Sequence, residues 1–231
     1  MTTCEIILED IKKNLEVILS KRSDFRKKED GSYVSKGDLL IQSIVINKLK
    51  EILPNYYLIS EEKEKEFFKK KWDKLGSFVI LDPIDGTENF VSGLKEWGVG
   101  ISIYQSGQHI ESCIFLPELN EYLITGMKIK KLKSRIIGLS SSLTKKDLSN
   151  LPYDESFEYR IIGCSMYNTL KAIKGSFKVF ENVKGVNCWD ILPGLNLALE
   201  HSCDVFVDEK PYRGQILFPV KKYKIKISNV I

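Results

Sequence analysis

Two aspartates, Asp82 and Asp85, follow directly on the apolar residues 78–81 within the segment DPIDGTENF. The apolar run has the length of a buried strand, so both carboxylates are predicted to converge where that strand ends. Carboxylates about 4 Å apart repel each other by roughly 1 kcal/mol in water and by about 4 kcal/mol in a surface-like dielectric. A divalent cation would offset this repulsion, and oxygen ligands favour magnesium, manganese or calcium. The pair therefore indicates a metal site.

The residues after Asp85 suit a bound anion. Gly86 lets the backbone approach a ligand closely, and Thr87 with its successors can open a helix whose free N–H groups point at a phosphate. However, Asp beside Pro and Gly also forms ordinary Asx turns. On this segment alone, a ligand site and a plain turn remain alternatives.

Two distant acidic residues could complete such a site. Glu61 follows the short apolar and aromatic run 56–59, at a second predicted strand end. Asp190 precedes a pattern typical of a buried helix, at the predicted N-cap. Each also has a plainer interpretation: Glu61 as one charge in the solvated alternating run 61–71, and Asp190 as a helix cap only.

A frame of helices and strands must position these side chains. The first half predicts helices over residues 5–20 and 38–53, the second ended by Pro54, packed on a largely antiparallel meander over residues 97–105, 108–116 and 121–125. The second half predicts alternating strands and helices over residues 135–139, 144–150, 159–162, 165–174, 177–180, 191–201 and 204–207. The acidic residues are then expected to meet between the halves.

Composition narrows the function classes. With 43% hydrophobic residues in 231, the chain can bury a sizeable core. Its five cysteines are scattered and form no CxxC pair, which predicts free thiols in a reducing, cytoplasmic compartment rather than disulfides or a zinc site. A net charge of +4 does not indicate nucleic-acid binding. No signal peptide or membrane span is predicted.

The order of the acidic motifs resembles the inositol monophosphatase superfamily. Its members carry a Glu-Glu pair, then DP-(Ile/Leu)-DGT-x-(Asn/Glu)-Phe, then Trp-Asp, which match Glu61-Glu62, residues 82–90 and Trp189-Asp190. A fourth element, Lys-x-Asp-Gly-Ser-Pro-Val-Thr-x-x-Asp, is similar to residues 28–38, although Tyr33 replaces Pro and Ser35 replaces Thr. The chain is also shorter than most relatives around residues 126–133.

The resemblance implies a layered α/β sandwich. Residues 1–134 would form a half with helices on an antiparallel sheet, and residues 135–231 a smaller mixed α/β half, together one compact catalytic unit. Relatives are often dimers, so a homodimer is allowed.

The resemblance also implies the metal ligands. Glu61, Asp82 and the Ile84 carbonyl would hold one Mg²⁺, and Asp82, Asp85 and Asp190 a second. A third ion would lie near Glu61. Mn²⁺ is an alternative, whereas Ca²⁺ or Li⁺ would inhibit.

The implied mechanism uses a metal-activated water and no covalent enzyme intermediate. Asp38 would orient the Thr87 hydroxyl, and Thr87 with Glu61 would position and deprotonate the water. The backbone N–H groups of Gly86 and Thr87 would hold the phosphate.

For the rest of the substrate, the resemblance implies contacts from four residues: Gly163, Ser165, Glu181 and Asp190. The implied function is a Mg²⁺-dependent, Li⁺-sensitive phosphomonoesterase of a small phosphorylated polyol or sugar, such as myo-inositol 1-phosphate. A 3'(2'),5'-bisphosphate nucleotidase is the alternative enzyme. A non-catalytic regulator of transcription or ribosome machinery is the alternative of another class.

Overall fold

A computed structural model describes residues 1–53, 55–63, 76–151 and 153–230. Most of the predicted charged run 61–71 lies outside the described residues, as does Pro54. The helices are α1 Thr3–Lys13, α2 Leu15–Ser20, α3 Lys36–Ile52, α4 Thr87–Val91, α5 Lys145–Ser149, α6 Ser165–Ile173 and α7 Cys188–Glu200. The strands are β1 Phe25–Lys27, β2 Tyr33–Ser35, β3 Tyr56–Ser60, β4 Ser77–Asp85, β5 Gly98–Gln105, β6 Gln108–Leu116, β7 Glu121–Ile124, β8 Ile136–Leu139, β9 Glu158–Ile161, β10 Val179–Val186, β11 Asp204–Val207, β12 Lys210–Pro211 and β13 Tyr223–Ser228.

Two large sheets alternate with helices in layers. The first has the strand order β3-β4-β5-β6-β7 and is antiparallel except for the parallel pair β3–β4. The second has the order β12-β11-β13-β10-β8-β9 and is mixed, because β8 runs parallel to both of its neighbours. This confirms the predicted fold class: a layered α/β sandwich with a nearly antiparallel first sheet and a mixed second one.

The helices divide between the two faces of the first sheet. α1 and α3 pack on one face, where their apolar side chains form a core with alternate residues of β4, β5 and β6. α6 and α7 pack on the other face and also contact the second sheet. α7 therefore lies between the sheets, and its first turn carries Asp190. Within the described residues, no helix is long and apolar enough to cross a bilayer.

Local chemistry explains several boundaries that the sequence pattern misplaced. The predicted helix 5–20 is broken at Asn14, whose side chain donates to the Asp10 carbonyl at 2.8 Å and so competes with the helical ladder. α3 begins at Lys36, because the Ser35 hydroxyl caps it and Asp38 closes a capping box. β4 continues through Asp85, with an irregular register between Asp82 and Asp85.

Several strand regions were not predicted, namely the short strands β1, β2 and β12, the strand β13 and the C-terminal part of β10. β13 lies at the centre of the second sheet between β11 and β10, and its burial alternates residue by residue from Tyr223. β10 extends to Val186, where a loop was expected, with a register shift after Asn182. The alternation of β13 is visible in the sequence as YKIKIS, so a period of two was the signal available.

The crossing of α6 and α7 gives a test of the fold. A Cβ at Gly194 of α7 would lie 2.4 Å from the Thr169 Cγ2 of α6. Gly to Ala in a helix normally stabilises by about 1 kcal/mol. Here we expect Gly194→Ala to lower the free energy of unfolding by about 1–3 kcal/mol, because overpacking forces the helices apart. A thermal melt checks this, and a higher midpoint for the variant would contradict the close packing.

Candidate active site

The end of β4 carries a fully buried carboxylate. Asp82 is fully buried, and neither of its side-chain oxygens has a hydrogen-bond partner among the described residues. An unpaired buried carboxylate is costly, and native structures keep such groups chiefly where a ligand or ion meets them.

Glu61 and Asp190 approach Asp82 from two other elements. β3 runs parallel to β4 and pairs Ser60 with Leu81, so Glu61 opens a short 3₁₀ turn beside Asp82. One carboxylate oxygen from each of Glu61, Asp82 and Asp190 lies within 4.8 Å of the others. This set of hard oxygen donors fits a divalent cation such as Mg²⁺.

Asp190 is not at the N-cap of its helix. The N-cap is Asn187, and Asp190 is the third residue of α7, where its Oδ2 accepts a 2.8 Å hydrogen bond from the Asn187 N–H. The Asp190 side chain therefore belongs both to the cap of α7 and to the acidic group. The two interpretations of this residue are not alternatives.

Asp85 is held by the second half of the chain. Its Oδ2 accepts from the Cys164 thiol at 3.0 Å and from the Met166 N–H at the start of α6. Asp85 is thus oriented by protein donors, in contrast to Asp82.

Burial and mutual repulsion raise the pKa values of the acidic group. Burial, with the charge of neighbouring carboxylates, raises the pKa of Glu61 to about 8 and that of Asp190 to about 7. Burial raises the pKa of Asp85 to about 6, although hydrogen bonds from Cys164 and the backbone oppose the shift. The pKa of Asp82 is also raised, first by burial and then by Glu61 and Asp190. Without a cation, the group therefore resists full ionisation.

One lysine partly neutralises the site. Lys28, in the turn between β1 and β2, donates to Glu61 Oε1 at 2.6 Å and to Glu62 Oε1 at 2.7 Å. These carboxylates raise the pKa of the Lys28 ammonium against the opposing effect of burial. The turn with Lys28 therefore closes over Glu61 through charge attraction.

Thr87 begins α4 beside the acidic group. Its hydroxyl donates to the Ile84 carbonyl at 2.9 Å, and the Asp38 Oδ1 lies 3.4 Å away as a weaker acceptor. Asp38 is buried and held by the N–H and hydroxyl of Ser35, and burial raises its pKa to about 6. The structure thus brings Asp38, Ile84 and Thr87 together, with Ile84 as the nearer partner of the hydroxyl.

Gly86 forms the N-cap of α4 with a φ of 81°, a left-handed conformation that favours glycine. A Cβ there would lie 3.0 Å from the Cys164 Cβ. The Asn89 side chain donates to the carbonyls of Glu96 and Ile162 at 2.7 and 2.8 Å, which joins α4 to the loop before Gly163. Gly86 and Gly163 therefore face each other across the contact between the halves.

A cavity of about 390 Å³ opens over these groups. It is lined by nine of the predicted site residues: Glu61, Asp82, Ile84, Asp85, Gly86, Thr87, Gly163, Ser165 and Asp190. Asp38 lies behind Thr87 and does not line it.

Glu181 does not line the cavity, so its predicted contact with substrate needs correction. Its neighbours Phe180 and Asn182 both do. Successive residues of a strand point to opposite faces, which turns Glu181 away while its neighbours face inward. Other lining residues were not predicted from the sequence, among them Asp30, Tyr33, Ser140, Asn168, Asn182 and Lys222.

Comparison with known proteins identifies the family. The model of the inositol monophosphatase family matches residues 2–150. The chain belongs to the inositol monophosphatase family. The resemblance noted in the sequence is therefore confirmed, and with it a phosphatase of this family.

Similar proteins in the family carry the names of different activities. A 3'(2'),5'-bisphosphate nucleotidase, CysQ of Haemophilus influenzae, is 24% identical over 203 residues, 77% of this chain and 73% of that protein. An inositol-1-monophosphatase of Mesorhizobium japonicum is 32% identical over 101 residues, 42% of this chain and 35% of that protein. A lithium-soaked inhibitory complex of staphylococcal inositol monophosphatase-1 superposes with a TM-score of 0.80 at 21% identity, covering 99% of this chain and 91% of that one. The last likeness establishes the fold.

The acidic group predicts a pH-dependent stability. Glu61, Asp190 and Asp85 have folded pKa values of about 8, 7 and 6 against ordinary values near 4. Between pH ~4 and ~8 the folded protein therefore binds more protons than the unfolded chain does. Its stability falls as the pH rises through that range. In EDTA, we expect a lower thermal midpoint at pH 8 than at pH 5.

Magnesium should reverse this loss, because the cation binds the ionised carboxylates. We expect Mg²⁺ to raise the midpoint more at pH 8 than at pH 5, and Asp82→Asn to abolish most of that gain while raising the midpoint in EDTA at pH 8. Asp208→Asn serves as the matched control, because Asp208 does not line the cavity and pairs with Lys221 instead. Equal Mg²⁺ shifts at both pH values would contradict the cation assignment.

Proposed function

We propose that this chain is a Mg²⁺-dependent, Li⁺-sensitive phosphomonoesterase that hydrolyses a small polyol or sugar monophosphate with water as the nucleophile. The observation that carries the proposal is the fully buried, unpartnered Asp82 carboxylate beside Glu61 and Asp190, in one cavity with Gly86 and Thr87. The inhibitory lithium complex of the staphylococcal relative supports lithium sensitivity.

The acidic residues would bind cations at two positions. Glu61, Asp82 and the Ile84 carbonyl would hold one divalent ion, and Asp82, Asp85 and Asp190 a second, with one oxygen each of Glu61, Asp82 and Asp190 within 4.8 Å of the others. Bound there, such ions would offset charge on the phosphate and make water more acidic. A third ion beside Glu61 would compete with the Lys28 ammonium, which donates to Glu61 Oε1 at 2.6 Å.

Thr87 and Glu61 are suited to orient the attacking water. The Thr87 hydroxyl donates a hydrogen bond to the Ile84 carbonyl or to Asp38, so its oxygen lone pairs remain free to accept a hydrogen bond from water. With a cation bound beside it, Glu61 would be held in its ionised form and could therefore accept a proton from the water. The N–H groups at the start of α4 would hold the phosphate oxygens, with Gly86 allowing close approach.

Phosphate release tests the chemistry. With Mg²⁺, we expect turnover of myo-inositol 1-phosphate, inhibition by Li⁺, and loss of activity by at least about 10²-fold in Asp82→Asn, because a buried cation ligand is removed. Asp208→Asn should retain wild-type turnover. Adenosine 3',5'-bisphosphate is assayed alongside, since the CysQ relative makes a nucleotidase the second candidate. Mg²⁺-independent release, or release by Asp82→Asn at the wild-type rate, would contradict the mechanism.

The role of Thr87 gives a separate prediction. Thr87→Val keeps the shape of the side chain and removes the hydroxyl that would orient water. We expect kcat to fall about 10²-fold, within the range typical of proton-transfer and orientation effects, with little change in the KM for substrate. Steady-state kinetics check this, and a change confined to KM would assign Thr87 to substrate binding instead.

Cytoplasmic location and a homodimer stay predictions.

A further inference from the structure

Unpartnered buried polar atoms concentrate in this cavity. In the described part of the chain, six buried side-chain nitrogen and oxygen atoms lack a hydrogen-bond partner, and four of them belong to the cavity-lining residues Asp82, Ser140 and Asn168. Buried polar groups are satisfied in the great majority of cases. A cluster of exceptions around one cavity therefore indicates a ligand that satisfies them.

The atoms of Ser140 and Asn168 differ in kind from those of Asp82. Both side chains are neutral and almost fully buried, at 6% and 1% exposure. The unpartnered Asn168 atom is Oδ1, an acceptor, and the unpartnered Ser140 atom is a hydroxyl oxygen, which can donate and accept. Their natural partners are hydroxyl groups, because a hydroxyl can donate to an amide oxygen and exchange roles with a serine.

Rigid elements hold both residues. Ser140 directly follows β8, which pairs with β10 and places Gly138 opposite Phe180. Asn168 is the fourth residue of α6, and its N–H donates to the Cys164 carbonyl at 3.1 Å. The same helix begins at the residues that hold Asp85. The two orphan groups are thus fixed relative to the acidic group.

A second asparagine lines the cavity, and its side-chain amide differs from that of Asn168 in having protein partners. Asn182 is also buried, but its Oδ1 accepts from the N–H groups of Lys184 and Gly185 at 3.1 and 3.0 Å, so its role is to shape the turn. Asn168 Oδ1 has no such task. This contrast separates a structural amide from one available to a ligand.

We propose that Ser140 and Asn168 form a hydroxyl-binding subsite that receives the alcohol portion of the substrate and selects a polyol or sugar phosphate. The inference rests on the proposed phosphatase function and deepens it by naming residues that determine the selectivity for the leaving alcohol. A second phosphate is disfavoured at this subsite, because the Asn168 acceptor would face phosphate oxygens that are also acceptors. The subsite therefore favours a polyol or sugar over a nucleoside bisphosphate.

The test compares two leaving groups in the same protein. Steady-state hydrolysis of myo-inositol 1-phosphate and of 4-nitrophenyl phosphate, whose leaving group carries no further hydroxyl, is measured with Mg²⁺ for the wild type, Ser140→Ala and Asn168→Leu. We expect each variant to lower kcat/KM for the inositol phosphate about tenfold, the effect of one lost hydrogen bond in a buried site, and to leave 4-nitrophenyl phosphate within about twofold. The matched controls are Ser149→Ala and Asn150→Leu on or next to the exposed helix α5, which should change neither substrate.

Thermal stability supplies a readout independent of turnover. Removing a buried polar group that has no protein partner relieves a desolvation cost, so we expect the melting midpoints of Ser140→Ala and Asn168→Leu to be equal to or higher than that of the wild type. A marked fall in either midpoint would show a structural role for that side chain and overturn the assignment.

The remaining outcomes separate the subsite from the chemistry. Equal losses on both substrates, or no loss on either, would overturn the subsite. Wild-type hydrolysis of 4-nitrophenyl phosphate without hydrolysis of any polyol or sugar phosphate would also overturn it, while leaving the phosphatase chemistry in place. Failure of the wild type to release phosphate from any of these esters would instead refute the proposed function, and the subsite with it.

Discussion

Electrostatic repulsion among buried carboxylates is the constraint on which this molecule depends. Asp82, Asp85, Asp190 and Glu61 are drawn into one region of low dielectric, where burial raises the pKa of each. Side chains that repel one another stay together only when rigid backbone holds them there. The chain accordingly places them at the end of a central strand, in the turn after its parallel neighbour and in the first turn of a buried helix. The core on both faces of the first sheet stabilises that arrangement.

The site also depends on the contact between the two halves. Asp85, from the first sheet, is oriented by Cys164 and Met166 of the second half, and Asn89 donates to the Ile162 carbonyl. Neither half alone presents the complete acidic group, since Asp190 comes from α7. Hydrogen bonds across the contact therefore do two tasks: they join the halves and fix the direction of the carboxylates.

The sequence predicted those parts of the site that are local. Asp82, Asp85, Gly86 and Thr87 are consecutive or nearly so, and their spacing carries the turn chemistry directly. The misassignments arose where a side chain's direction depends on distant packing. Glu181 was expected from the resemblance, but the face of the strand on which it lies is fixed only once β10 takes its place in the sheet. Ser140 and Asn168 carry no motif because their property, burial without a partner, exists only in the folded chain. The central strand β13 was missed although its alternation was present.

Charge balance then limits what the cavity can receive. The ionised forms of Glu61, Glu62, Asp82, Asp85 and Asp190 outnumber the two ammonium groups near them, Lys28 and the cavity-lining, exposed Lys222. A phosphate monoester near neutral pH adds up to two further negative charges, so one divalent cation would leave the loaded site strongly negative in a region of low dielectric. With all five carboxylates ionised, two divalent cations bring the net charge of the loaded site to about −1, close to neutrality. Because the phosphate end carries this whole electrostatic requirement, the neutral Ser140 and Asn168 are free to discriminate among leaving groups without disturbing it.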